Sequence, residues 1–124
     1  MRSNTKFTHI ESNAEISAYL DKRVAAIGKF VESDQSAFAQ IELAKTTSHH
    51  RSGDVFRAEI NMHTGAGDFY AVSETGDLKS AIDGMRDEVM RQLHSKKDKR
   101  VSFARRSGSA VKNFLKGIVG RNGK

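Results

Sequence analysis

The chain has 124 residues, with 21 Lys and Arg against 15 Asp and Glu, and no cysteine. That length suits one domain with a self-sufficient core, and the missing thiols exclude disulfide frameworks, thiolate metal sites and cysteine nucleophiles. No apolar stretch follows Met1 and no run of about 18 apolar residues occurs, so neither a leader nor a spanning helix is expected, and the cytoplasm is the expected compartment.

Lys6-Phe7-Thr8-His9-Ile10 combines bulky and β-branched residues and predicts a short first strand. Ser12 and Asn13 follow as helix N-caps. From Ala14 to about Val31, Ile16, Leu20, Val24, Ile27 and Val31 step by three or four and predict a helix, with Lys22, Arg23 and Lys29 mostly outside the apolar stripe. The polar cluster Glu32-Ser33-Asp34-Gln35-Ser36 predicts a turn. Ala39, Ile41 and Leu43 then alternate with Gln40 and Glu42, the period of a half-buried strand.

Thr46 to Asp54 is polar and predicts a hairpin connection. A second alternating run puts Phe56, Ala58, Ile60 and Met62 on one face and Arg57, Glu59, Asn61 and His63 on the other. Gly65-Ala66-Gly67 supplies another hairpin turn. Asp68 to Thr75 is the last strand, in which Phe69, Ala71 and Ser73 oppose Tyr70, Val72 and Glu74. Thr75-Gly76-Asp77 breaks that strand and caps a second helix, whose stripe is Leu78, Ile82, Met85, Val89 and Leu93.

The order β-α-β-β-β-α predicts an α+β fold. Three strands in consecutive hairpins form an antiparallel meander, and its apolar face needs the two amphipathic helices as a cover. The expected architecture is a two-layer sandwich with a mostly antiparallel four-stranded sheet and both helices on one face. The first strand joins through the first helix, by a right-handed crossover if it pairs in parallel. Residues 1–100 are expected to be the folded domain. Residues 101–124 are expected to be a basic Gly/Ser-containing tail, in which Val111, Leu115 and Ile118 have helical spacing.

Charge is divided unevenly along the chain. Residues 1–76 hold eight Lys and Arg against ten Asp and Glu, whereas residues 77–124 hold thirteen against five. A one-sided basic field attracts polyanions through Coulomb attraction and counterion release, nucleic acid first and anionic membrane second. Enzyme chemistry is not expected. Asp83, Asp87 and Glu88 share a helix with Arg86 and Arg91, an arrangement of charge balance rather than acid-base work. His49 and His50 lack zinc-motif spacing, so no metal site is expected. The Gly65-Ala66-Gly67 turn precedes a strand instead of a helix, which argues against a phosphate-binding loop and a nucleotide cofactor. Of the aromatics in the meander, Phe56 and Phe69 are expected in the core, and Tyr70 stands out as the exposed one.

The element order, with Asp77-Leu78-x-x-Ala81-Ile82-Asp83, Arg91-Gln92-Leu93 and the Lys96-Lys97-Asp98-Lys99 run, resembles the ribosome hibernation promoting factor family, also called protein Y or sigma-54 modulation proteins. The resemblance spans roughly residues 5–100 and includes Glu11, Ile16, Leu20, Arg23, Ile27 and the Lys29-Phe30 pair. It is the conjunction of these pieces that is specific. The resemblance implies a fold like that of double-stranded-RNA-binding domains. It also implies a stress or stationary-phase protein that blocks translation by occupying the messenger and transfer RNA channel of the small ribosomal subunit. It is similar to the short forms, without the ribosome-dimerising domain of longer members. Carried over by position, it assigns rRNA contacts to Lys22, Arg23, Lys29, Lys79, Arg86, Arg91, Lys96, Lys97, Lys99 and Arg100. Ala26, Lys79 and Glu88 depart from the family's frequent lysine, tyrosine and lysine. Glu88 is left out of the site, because a carboxylate repels phosphate unless Arg91 or Gln92 pairs with it.

The expected partner is therefore small-subunit rRNA, with no cofactor, metal, small-molecule substrate or membrane, and with the chain monomeric off the ribosome. Two rival readings remain. A general double-stranded-RNA binder would grip any A-form duplex with the same helices. Alternatively, the basic amphipathic segment from Val111 to Val119 would anchor the domain to anionic membrane.

Overall fold

The computed structural model describes residues 1–47 and 53–106, with side-chain surroundings described as far as Thr46 and from Gly53 to Lys97. His49, His50 and the tail from Ser107 onward lie outside the described residues. The elements are β1 (Arg2–Thr8), α1 (Ala14–Phe30), β2 (Phe38–Thr47), β3 (Asp54–Thr64), β4 (Gly67–Thr75) and α2 (Leu78–Arg106). The order β-α-β-β-β-α is as the sequence predicts.

The sheet order is β1-β2-β3-β4, with β1 parallel to β2 and the two later pairs antiparallel. Ile41, Ile60 and Ala71 stand opposite one another across β2, β3 and β4, each 2% exposed or less. Apolar side chains at alternate positions on either side of this rung build the sheet's inner face. Against it lie Leu20 and Ile27 from α1 and Ile82, Met85 and Val89 from α2. Each such buried side chain contributes roughly 1.5–3 kcal/mol relative to exposure. Phe56 and Phe69 pack at the margin of this core, while Tyr70 is 43% exposed.

Two boundaries differ from the sequence reading. β1 runs from Arg2 to Thr8 rather than from Lys6 to Ile10, because its backbone pairs with β2 from Arg2↔Phe38 to Thr8↔Ala44. Edge-strand pairing is made by main-chain groups, so the polar residues at its start carry no apolar alternation to betray it. His9, at φ 60, turns the chain out of the strand. α2 continues to Arg106, six residues into the segment that the sequence suggests is a tail, since Lys and Arg are good helix formers even where no apolar stripe persists.

Side-chain caps start both helices. Asn13 Oδ1 accepts the Ile16 N–H at 2.8 Å, and Asp77 Oδ2 accepts the Ser80 N–H at 3.0 Å. α2 crosses β4 closely at Gly84, where an added β-carbon would lie 2.9 Å from Ser73 Cβ. The mid-helix glycine therefore fixes the separation of helix and sheet.

Candidate nucleic-acid interface

Three contacts set the two helices side by side. Lys79 Nζ lies 2.7 Å from Glu15 Oε1, Tyr19 donates its hydroxyl to Asp83 Oδ1 at 2.8 Å, and the Phe30 and His94 rings are 4.5 Å apart. The partners in the first two are 64 positions apart, and Phe30 and His94 keep the same offset. A constant offset requires that α1 and α2 run parallel, turn matched to turn. The capping residues Asn13 and Asp77 keep it too.

The seam is polar and charged at its outer rim. Arg23 places Nε 3.0 Å from Asp83 Oδ1 and Nη2 3.0 Å from the Tyr19 hydroxyl, with its guanidinium 4.9 Å from the Tyr19 ring. The hydrogen bond to Tyr19 and the charge of Asp83 raise the Arg23 pKa above its ordinary value. Lys79, over the same ring at 5.4 Å, is raised by its hydrogen bond to Glu15, and the same bond lowers Glu15. Lys97 caps the far end of the seam, 5.6 Å from the Phe30 ring.

The ten cations assigned from sequence divide into three groups. Arg23, Lys79, Arg86 and Arg91 each have a carboxylate partner, the last two being Asp87 at 2.8 Å and Glu88 at 2.7 Å. Lys22, Lys29, Lys96 and Lys97 are exposed, and no carboxylate pairs with them among the described residues. Lys99 and Arg100 lie on the backbone of α2, with side chains outside the described residues. Lys22 and Lys29, two turns apart, share the outward side of α1. Ammonium groups so placed offer their donors to an external anion.

Arg91 stands apart from the seam. Its Nε and Nη2 donate to Glu88 Oε1 and Oε2 at 2.9 and 2.7 Å, and Gln92 Nε2 donates both to Glu88 Oε2 at 2.9 Å and to the Tyr70 carbonyl at 2.8 Å. These bonds tie Arg91 to the β4 side of α2, away from α1. Hydrogen bonds from Arg91 first and Gln92 second hold the Glu88 carboxyl down to about 2. The structure thus joins Lys22, Arg23, Lys29, Lys79, Arg86 and Lys97 along one helix pair and places Arg91 on another flank.

Asp83 and Asp87 engage Arg23 and Arg86, which is charge balance. The open face of the sheet has a different character. There Tyr70 donates to Glu59 at 2.6 Å, Arg57 donates to Glu59 at 2.7 Å, and Glu74 lies 3.7 Å from Arg57. Tyr70 above all, then Arg57, lowers the Glu59 pKa. Sequence reading missed Tyr19 and Glu15 as members of the seam. Tyr19 and Arg23, four residues apart, carried the available signal, an aromatic beside a cation on one helix face.

Comparison with known proteins agrees with this architecture. The chain is 24% identical over 99 residues to ribosome hibernation promoting factors of Klebsiella oxytoca and Escherichia coli strain K12, covering 80% of this chain and 96% of each relative. The Salmonella typhimurium ribosome hibernation promoting factor is 25% identical over the same length. Among solved structures, the N-terminal domain of Thermus thermophilus Protein Y superposes with a TM-score of 0.59 at 22% identity, covering 75% of this chain and 96% of that one. A ribosomal subunit interface protein from Coxiella burnetii gives 0.65 at 12% identity, covering 79% and 99%. The family model described as sigma 54 modulation protein / S30EA ribosomal protein matches residues 4–101, and the chain belongs to that family.

Proposed function

We propose that this protein is a ribosome hibernation factor that binds rRNA in the messenger and transfer RNA channel of the small subunit and silences translation by occlusion, without catalysis. The observation that carries this reading is the parallel helix pair, which holds Lys22, Lys29, Lys96 and Lys97, exposed and without a carboxylate partner among the described residues, on one layer of the body. Lysines on a fixed scaffold track phosphates by charge and shape without reading bases. The names of the relatives support the ribosome as the target. Arg23, Lys79, Arg86 and Arg91 join as contacts when phosphate replaces their carboxylate partners, and Lys99 and Arg100 extend the surface along α2. The body works as a cytoplasmic monomer off the ribosome, and the basic segment from residue 101 onward follows rRNA or the empty messenger path.

Sedimentation of a stationary-phase lysate at two salt concentrations tests this. The chain is expected to travel with small subunits at low salt and to leave them at high salt, and Lys29→Glu with Lys97→Glu is expected to release it at both. Failure to sediment with subunits at either salt overturns the proposal. Equal affinity for free duplex RNA would favour the general RNA-binding reading. Binding to anionic vesicles that disappears on removing residues 107–124 would favour the membrane reading.

A further inference from the structure

Glu88 occupies one bidentate edge of Arg91, the Nε and Nη2 side, which is one of the edges that a phosphate would use. Both carboxylate oxygens are engaged, Oε1 with Arg91 Nε at 2.9 Å and Oε2 with Nη2 at 2.7 Å, the side-by-side geometry in which a guanidinium also receives phosphate. Gln92 braces the carboxylate from the other side at 2.9 Å and is itself anchored to the Tyr70 carbonyl at 2.8 Å. The clamp is therefore fastened to the sheet. Glu88 keeps its charge under any physiological condition, and its side chain is 38% exposed while that of Arg91 is 66% exposed.

We propose that Glu88 is an affinity-determining residue for RNA, an intramolecular anion that competes with phosphate for Arg91 and keeps the RNA contact reversible. This rests on the reading of the helix layer as an rRNA-binding surface. An occluding protein has to leave its site when translation resumes, and a carboxylate already seated on the arginine lowers the gain from each phosphate that displaces it. Exposed pairs open readily, so the competition costs affinity without forbidding contact. The lysines without a carboxylate partner among the described residues make contact first, and Arg91 exchanges its carboxylate for phosphate afterward.

The test compares the full chain with Glu88→Gln, Glu74→Gln, Arg91→Gln and the double variant Glu88→Gln/Arg91→Gln, each first checked for a single cooperative thermal melt well above the assay temperature. The probes are a free RNA duplex of about 20 base pairs, long enough for the two successive minor grooves a double-stranded-RNA-binding domain spans, and isolated small subunits, titrated across a salt series. Glu74, on the sheet face away from the helices, controls for loss of one negative charge anywhere on the molecule. Glu88→Gln is expected to tighten duplex binding about two- to fivefold, the range of an exposed ion pair. Because Arg91 reaches phosphate in both chains, the salt slope should change by less than one phosphate contact. On subunits it is expected to slow dissociation. Glu74→Gln should leave both unchanged, and Arg91→Gln should abolish the effect of the Glu88 change. Equal effects of Glu88→Gln and Glu74→Gln, or a Glu88 effect that persists in the Arg91→Gln background, would overturn the proposal. The duplex arm decides on Glu88 even if the parent chain shows no preference for subunits, a result that would count against the ribosomal reading alone.

Discussion

Tyr19 on α1 donates its hydroxyl to both carboxylate oxygens of Asp83 on α2, at 2.8 and 2.9 Å, while accepting a hydrogen bond from Arg23 at 3.0 Å. One phenol thus connects the helices and organises the cation beside it. Tyr19→Phe keeps the ring and removes all three contacts of the hydroxyl. A loss of about 0.5–1.5 kcal/mol is expected, read as a lower urea midpoint at unchanged slope.

Gly84 sets the distance between α2 and β4. In an exposed helix interior, Gly→Ala gains about 1 kcal/mol. Here the new methyl meets Ser73, whose Cβ would be 2.9 Å away, and overpacking of that kind costs typically 1–3 kcal/mol. Gly84→Ala is expected to lower the melting temperature, and Ser73→Gly in the same chain to recover most of the loss.

The four lysines without a carboxylate partner among the described residues should act on RNA through charge alone. Neutralising Lys22, Lys29, Lys96 or Lys97 to Gln is expected to weaken binding to small subunits and to flatten the salt dependence by about one contact for each residue that touches a phosphate. Lys6→Gln, on the edge strand β1 and outside the helix layer, should leave the slope as it is. Filter binding across a salt series reads both. A slope indifferent to all four would remove them from the interface.

Acid titration checks the Glu88 clamp independently of RNA. Its carboxyl is lowered from an ordinary 4.5 to about 2 by Arg91 and Gln92, so the folded state holds its proton more weakly than the unfolded chain. The stabilisation is complete above about pH 4.5 and is lost as the pH falls toward 2, where the protonated carboxyl releases Arg91. Carbon-detected NMR of the Glu88 side chain should show a midpoint near that lower value, and Arg91→Gln should move it back toward the ordinary range.

Much of the fold was legible because burial imposes periods of two and three to four residues on the chain. Ile41, Ile60 and Ala71 announce the inner face of the sheet, and Ile82, Met85 and Val89 the inner face of α2. β1 was misplaced because Arg2, Ser3, Asn4 and Thr5 are exposed on an edge strand, where main-chain pairing leaves no pattern in the side chains. The cations themselves could be read from the sequence, but their pairing could not. Arg91 with Glu88 is a local pair within one helix, whereas Lys79 with Glu15 and Arg23 with Asp83 exist only because the tertiary fold lays α1 beside α2.

α2 runs on for nine residues past Lys97, its last described contact with α1, a length of about 13 Å at the α-helical rise. Lys99, Arg100, Arg105 and Arg106 fall in that last stretch of the helix against a single Asp98. Like charges gathered on so short a rod push against its own coiling. A polyanion would offset that repulsion, so short inorganic polyphosphate should raise the far-ultraviolet helical signal of the intact chain before any ribosome is present, and neutral polymers should not.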